Sequence, residues 1–110
     1  MGDHRERGAV TASRLRERFV SVLTTLVRWV GTLAAVLLVA HVVLTVGGAN
    51  PDNGITRFVA AWADPLALGF RDLFTPTDAN LGVLVNHGLA ALFWLVASAL
   101  VSRLIRRGAP

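Results

Sequence analysis

With 110 residues the chain makes one compact unit, but its composition excludes an ordinary soluble domain: 54% of its residues are hydrophobic and 16% are charged, against about a quarter charged in soluble proteins. The absence of cysteine excludes disulfides, thiolate catalysis and cysteine-based metal sites. The net charge of +4 does not indicate nucleic-acid binding, because the arginines flank apolar runs without a recognisable reader motif, and we expect no nucleic-acid partner.

The first membrane span is predicted over residues 19–46, with its apolar core at 29–46. As a helix, this core would extend about 27 Å, close to the roughly 30 Å of a bilayer interior. A polar segment at residues 1–18 precedes it and is expected in the cytoplasm. Because the apolar run is longer than the about 7–15 residues of a signal-peptide core, we expect an uncleaved anchor.

The loop at residues 47–80 is predicted to carry two short amphipathic helices, near 54–63 and 65–74. Asp64 followed by Pro65 is typical of a helix N-cap and its first position, which favours a new helix there. Both helices are too short to cross a bilayer. We therefore expect them to lie in the outer interface, with their aromatic side toward lipid or toward the spans.

A second span is predicted at residues 81–101, followed by a basic tail at 102–110. The fold class is thus an all-α membrane protein, a two-span transmembrane helical hairpin. Arginine is in excess in both flanks, whereas the loop carries two arginines and four aspartates. The positive-inside rule then places both termini in the cytoplasm and the loop outside a bacterial cytoplasmic (inner) membrane. The arginines expected to set topology and to contact lipid headgroups are Arg14, Arg16, Arg18, Arg28, Arg103, Arg106 and Arg107.

Three polar residues within the spans, His41, Asn86 and His87, form a candidate intramembrane cluster. From the helical rise, both histidines lie about 8–9 Å below the outer boundary, so an antiparallel hairpin brings them level. We favour hydrogen bonds that fix the packing of the two helices over a proton- or metal-binding role. Small and polar residues predicted to line the helix contact are Gly31, Ala35, Ala91, Trp94 and Ser98.

An enzyme is not expected. The loop aspartates have local roles as turn, cap and surface residues. No spacing in the chain matches a known metal, nucleotide or nucleophile motif. We therefore predict no catalytic residue, no metal ligand and no cofactor, and a catalytic site in the outer loop is the weakest alternative.

Residues of the loop carry a resemblance to known membrane proteins. They are, in chain order, Arg57-Phe58-Val59, Asp64-Pro65-Leu66, Arg71, Leu73-Phe74 and Pro76. With these residues the chain resembles small integral membrane proteins of actinobacteria. More loosely, it is similar to the YggT (YlmG) family, whose Asp-Pro-Leu, basic residue and Leu-Ile-Pro pattern also stands between two spans. The resemblance implies an envelope protein that organises the membrane or assembles other membrane complexes, without catalytic residues.

The expected function is that of a non-enzymatic interaction or assembly component of the bacterial cell envelope. Its expected partners are membrane lipids and either further copies of itself or another membrane protein. The alternative is an oligomeric pore or ion-coupled transporter that uses the intramembrane histidines. A two-span chain is too small to enclose a path alone, so this alternative requires an oligomer.

Overall fold

The computed structural model describes residues 2–108, with side chains described from residue 6 onward. Three α-helices follow one another, α1 (Gly2–Val46), α2 (Gly54–Leu66) and α3 (Ala79–Gly108), and a short 3-10 helix, Leu68–Phe70, follows α2. The described residues contain no β-strand. By length and apolar composition α1 and α3 could each cross a membrane. Residue 1 of the predicted polar segment and residues 109–110 of the predicted tail lie outside the described residues.

The two long helices pack as an antiparallel hairpin. His41 of α1 contacts His87 of α3, and farther along the hairpin Gly31 lies against Ser98. We call the end near Val46, where α1 stops, the loop end of the hairpin, and the opposite end the terminal end. The hairpin and its loop together extend 74 Å along the longest axis.

The N-terminal polar segment is helical in the structure and continues α1, so the first helix begins well before residue 19. Its residues include Ala, Leu, Arg and Glu, which have high helix propensity, and no proline interrupts them. All described side chains from residue 6 to residue 19 are exposed. This part of α1 therefore runs past α3 without packing against another helix.

The first helix ends in a Schellman motif. Gly48 has a φ of 73°, in the left-handed region that glycine adopts without steric strain. The Ala49 N–H donates to the Leu44 carbonyl at 2.8 Å, and the Gly48 N–H donates to the Thr45 carbonyl at 3.2 Å. This pair of bonds satisfies the last carbonyls of α1 and turns the chain back toward α2.

The second loop helix predicted at 65–74 is wrong, because α2 continues through Asp64 and Pro65. Asn53 caps the start of α2 by accepting a hydrogen bond from the Ile55 N–H at 2.9 Å. Asp64 does not start a new helix, since its carboxylate accepts from Arg71 instead. Between α2 and α3 the chain forms only the short 3-10 helix and an irregular return segment.

The first loop helix, α2, packs against the hairpin. Ala63 and Ala67 are fully buried in one cluster with Leu38 of α1 and Ala90 of α3. Ala90 lies about 16 Å along α3 from its first residue. Small side chains at these positions let the three helices approach closely. The C-terminal end of α2 thus lies beside the middle of the hairpin, not beyond its loop end.

The return segment, residues 71–78, follows α3 back to the loop end. Phe70, just before it, stacks at an angle on Phe93, with ring centroids 5.5 Å apart. Nearer the loop end, Phe74 is hydrogen-bonded to Asn86. Residues 54–78 therefore run as α2 from the loop end toward the terminal end, and then return beside α3 to the loop end. We call these residues the inserted loop.

Candidate functional site

His41 and His87 face each other between α1 and α3. Their ring centroids lie 4.7 Å apart, with an angle of 49° between the ring planes. His87 is buried, and His41 is partly buried. The Nδ1 atom of His87 lies 3.2 Å from the carbonyl oxygen of Val83, one helical turn back. With the proton on Nδ1, this bond leaves Nε2 as the acceptor of the His87 ring.

Asn86 does not join the two histidines, although the sequence groups the three residues. Its Oδ1 accepts the Phe74 N–H at 2.9 Å, and its Nδ2 donates to the Phe74 carbonyl at 2.7 Å. Neighbouring residues of a helix point in directions about 100° apart, so Asn86 faces the inserted loop while His87 faces α1. The side-chain amide thus pairs with both backbone groups of Phe74, as a neighbouring strand would, and these two bonds hold the return segment against α3.

Asp64 is a residue of this region that sequence reasoning assigned only to a helix cap. It lines an open cavity of about 740 Å³ together with His41 and His87. The cavity extends to the turn between α1 and α2 at the loop end. The other residues that line it are Leu44, Thr45, Ala49, Pro51, Thr56, Arg57, Ala60 and Ala61.

The Asp64 carboxylate is paired with Arg71 of the return segment, with Nη1 and Oδ1 2.6 Å apart. Both side chains remain more than half exposed, at 58% and 57%. The signal that could have located this pair is the presence of two opposite charges seven residues apart within the mainly apolar stretch 58–74. Because that separation crosses the end of α2, helical spacing alone does not bring the two residues together.

The cavity brings together two imidazoles and a carboxylate, but these do not form a complete metal site. Among residues 6–108, no three His, Asp or Glu side chains are placed to hold one metal ion together. Structural zinc sites use four protein ligands and catalytic sites use three. Two imidazoles with a carboxylate in the same cavity can instead exchange a proton, since imidazole is both a donor and an acceptor near neutral pH.

The predicted packing residues lie in the seam between α1 and α3. A Cβ atom on Gly31 would collide with the Ser98 side chain and would lie 3.0 Å from the Trp94 carbonyl oxygen. Ala35 and Ala91 are buried in the core cluster. The seam is therefore close enough at Gly31 to exclude even a methyl group.

The predicted headgroup arginines fall into two sets. Arg28, Arg103 and Arg106 line one cavity at the terminal end of the hairpin. All seven are exposed, and the remaining four do not line that cavity: Arg14, Arg16, Arg18 and Arg107.

No family model, curated protein or solved structure matches this chain. The resemblance to the YggT family therefore stays a prediction. The contacts within the hairpin and the inserted loop are the observations from which function can be inferred.

Proposed function

We propose that this protein is an integral membrane protein that acts, without catalysis, as an assembly component of the bacterial cell envelope. In this proposal α1 and α3 cross the cytoplasmic membrane, and both termini lie in the cytoplasm, where the arginine-rich ends would obey the positive-inside rule. The partner is a further copy of the chain or another membrane protein. The resemblance to the YggT family implies the same kind of role.

Membrane placement is supported by the outward faces of the hairpin. Large apolar side chains such as Trp29, Val36 and Leu92 are more than half exposed along its length. Monomeric soluble proteins rarely expose contiguous apolar patches larger than a few hundred Å². Lipid is the solvent in which such a surface is stable.

The inserted loop then enters the membrane from the outer side as a re-entrant segment. Ile55, Phe58 and Trp62 point away from the hairpin and are exposed, as expected for side chains that contact lipid. Non-helical backbone at membrane depth is tolerated where protein buries it or water reaches it. The bonds from Asn86 to Phe74 and from Trp94 to Leu66 satisfy backbone groups of this segment.

A single observation carries the assembly role: the Asp64–Arg71 ion pair is exposed on the flank of the hairpin. Asp64 lies one residue from Ala63, which is fully buried in the cluster with Leu38 of α1 and Ala90 of α3, and it lines the cavity beside His41 and His87. A charged side chain within a bilayer is costly, so such groups almost always face protein or a water-filled cavity. Asp64 has the open cavity beside it, whereas Arg71 does not line that cavity. A partner that covers the flank at Arg71 would shield its guanidinium group from lipid.

Site-directed crosslinking tests the assembly role, and the cysteine-free chain makes single cysteines unambiguous. Gly69→Cys places a thiol on the turn of the inserted loop, close in sequence to Arg71, whereas Val39→Cys places one on an apolar face lined by α1 and α3 alone. We expect a defined product at position 69 in native membranes, which mass spectrometry identifies as a second copy or as one membrane protein. We expect less of it in the Arg71→Gln background. Monomer alone at position 69, or the same products at both positions, would contradict the proposal.

The contact between His41 and His87 favours ion-coupled transport by an oligomer as a second candidate. Both rings line a cavity that reaches the loop end of the hairpin, which in the proposed orientation opens outward. Proton flux into liposomes tests this role. Flux that the double variant His41→Ala/His87→Ala abolishes would support it, and flux that this variant leaves unchanged would exclude the histidines from the mechanism.

A further inference from the structure

Three arginines converge at the terminal end of the hairpin. Arg28 of α1 and Arg103 and Arg106 of α3 line a cavity of about 370 Å³. Its other walls are apolar apart from Ser102, and consist of Val96, Ala99 and Leu100. No acidic side chain lines the cavity within the described part of the chain, and none of these arginines forms an ion pair there. Three cations are thus gathered around one space without a described counter-ion.

Ser102 lies in the wall of the same cavity, and its hydroxyl has no hydrogen-bond partner within residues 6–108. It is 4% exposed, and its Oγ is the one buried side-chain polar atom without a hydrogen-bond partner among the described residues. A serine in a helix usually bonds back to its own backbone, and Ser98 does so with the Leu95 carbonyl at 3.0 Å. Because a buried polar atom without a partner is unfavourable, rotation of the Ser102 hydroxyl toward a ligand in the cavity would gain a hydrogen bond at no loss of an existing one.

We propose that this cavity is a specific binding site for a phosphate group, supplied by the headgroup of an anionic phospholipid in the cytoplasmic leaflet. The guanidinium groups would form charge-assisted hydrogen bonds with the phosphate oxygens, which arginine matches in geometry and charge. The Ser102 hydroxyl donates a further bond. The apolar wall at Val96 and Leu100 continues toward the middle of α3 and accommodates the start of an acyl chain.

This assignment goes beyond a general attraction of arginines to the membrane surface. A general attraction depends on the number of charges and would use Arg107 as readily as Arg106. In the structure Arg103 and Arg106 line the cavity together with Arg28 from the other helix, whereas Arg107 does not. The assignment rests on the membrane placement proposed above, because only that placement brings the terminal end to a lipid headgroup layer.

The test uses the full-length protein in neutral detergent, with lipid binding measured by native mass spectrometry. Phosphatidylglycerol and phosphatidylcholine distinguish an anionic lipid from a zwitterionic one with the same phosphodiester. We expect clear preference for phosphatidylglycerol, and equal affinity for both would overturn the proposal. Competition with inorganic phosphate and with glycerol phosphate distinguishes the sources of the phosphate. If neither compound displaces the lipid, the result supports the headgroup as the source of the phosphate. Displacement by inorganic phosphate at equal concentration would overturn that source.

Variants in the cavity test its specificity. Arg103→Gln is expected to weaken phosphatidylglycerol binding about fivefold, the change that loss of one arginine near an anionic surface produces. Arg107→Gln removes the same charge four residues along α3 but outside the cavity, and we expect no more than a small change. Ser102→Ala is expected to weaken binding several-fold while leaving the unfolding temperature without lipid unchanged or higher, since its hydroxyl has no partner to lose.

Equal effects of Arg103→Gln and Arg107→Gln, or no effect of Ser102→Ala, would overturn the specific site. Alkaline carbonate extraction of native membranes tests the placement on which the site rests. Wild-type protein released by carbonate would contradict the membrane placement itself. Protein that stays in the membrane but binds lipid equally in all variants would contradict only the phosphate site.

Discussion

The indole N–H of Trp94 on α3 donates to the carbonyl of Leu66, the last residue of α2, at 2.8 Å. The two residues are 28 positions apart in the chain, and this bond holds the end of α2 at the middle of the hairpin. The carbonyl belongs to the last turn of a helix, where no intrahelical donor is available. One side chain thus both satisfies that group and fixes the depth of the inserted loop.

Replacing Trp94 by Phe is expected to release the inserted loop. The aromatic ring remains but the donor is lost, so the Leu66 carbonyl is left without its partner, at a cost of about 1–3 kcal/mol in the free energy of unfolding. Unfolding in lipid bicelles measures this loss, and labelling of Ala67→Cys by a thiol reagent measures the opening of the loop. Trp62→Phe is the control, because Trp62 is exposed. Equal effects of the two variants would show that the bond does not hold the loop.

Asn86→Leu is expected to detach the return segment from α3. Two hydrogen bonds to Phe74 are lost, each contributing about 0.5–1.5 kcal/mol, while the volume of the side chain is nearly kept. Asn86→Asp is expected to be equally harmful, because a carboxylate still accepts from the Phe74 N–H but repels its carbonyl. Proteolysis of the inserted loop measures the effect, with Asn80→Leu at an exposed position as the control. Unaltered proteolysis of both Asn86 variants would contradict this role.

The two long helices and the level of the two histidines could be derived from the sequence because a helix converts residue number directly into position. The apolar runs at 29–46 and 81–101 are each long enough for a helix that could cross a membrane, and the structure has a helix over each of them. From the helical rise, His41 and His87 lie at the same depth, and their rings are 4.7 Å apart in the structure.

The inserted loop could not be derived in the same way, because bonds between distant residues decide its course. Asp64 and Pro65 carry a local signal for a helix start, but the tertiary contacts of Ala63 and Ala67 keep the chain in one helix through them. The bonds from Trp94 and Asn86 join residues that no periodic pattern connects. Positive charge at the helix ends predicted contact with lipid headgroups for three arginines: Arg28, Arg103 and Arg106. Their shared cavity, however, depends on how α1 and α3 pack.

Gly31→Ala is expected to push α1 and α3 apart. The new Cβ atom would collide with both heavy atoms of the Ser98 side chain, and Ser98 Cβ cannot rotate away because it is fixed to the backbone. Overpacking costs about 1–3 kcal/mol, which exceeds the gain of at most about 1 kcal/mol in helix propensity. Ser98→Gly in the same chain is expected to recover part of the loss, since the Trp94 carbonyl at 3.0 Å remains.

The matched control for that prediction is Gly88→Ala. No atom lies within 4 Å of a Cβ built at Gly88, so alanine there is expected to stabilise α3 by up to about 1 kcal/mol. Opposite signs for the two substitutions in thermal unfolding would demonstrate the close approach at Gly31. Stabilisation by both would contradict it.

The coupling energy of the Asp64–Arg71 ion pair is expected to differ between an inserted loop in lipid and one in water. In a double-mutant cycle of Asp64→Asn and Arg71→Gln, an ion pair in water contributes about 0.2–1 kcal/mol. In a bilayer each single variant leaves one charge alone in an apolar environment, so we expect a coupling energy above about 1 kcal/mol and a double variant more stable than Asp64→Asn. Unfolding in lipid bicelles measures the cycle, and Arg57→Gln with Asp64→Asn is the control, for which we expect weaker coupling. A coupling energy within the range for water would place the loop outside the membrane and remove the main support for a partner on this flank.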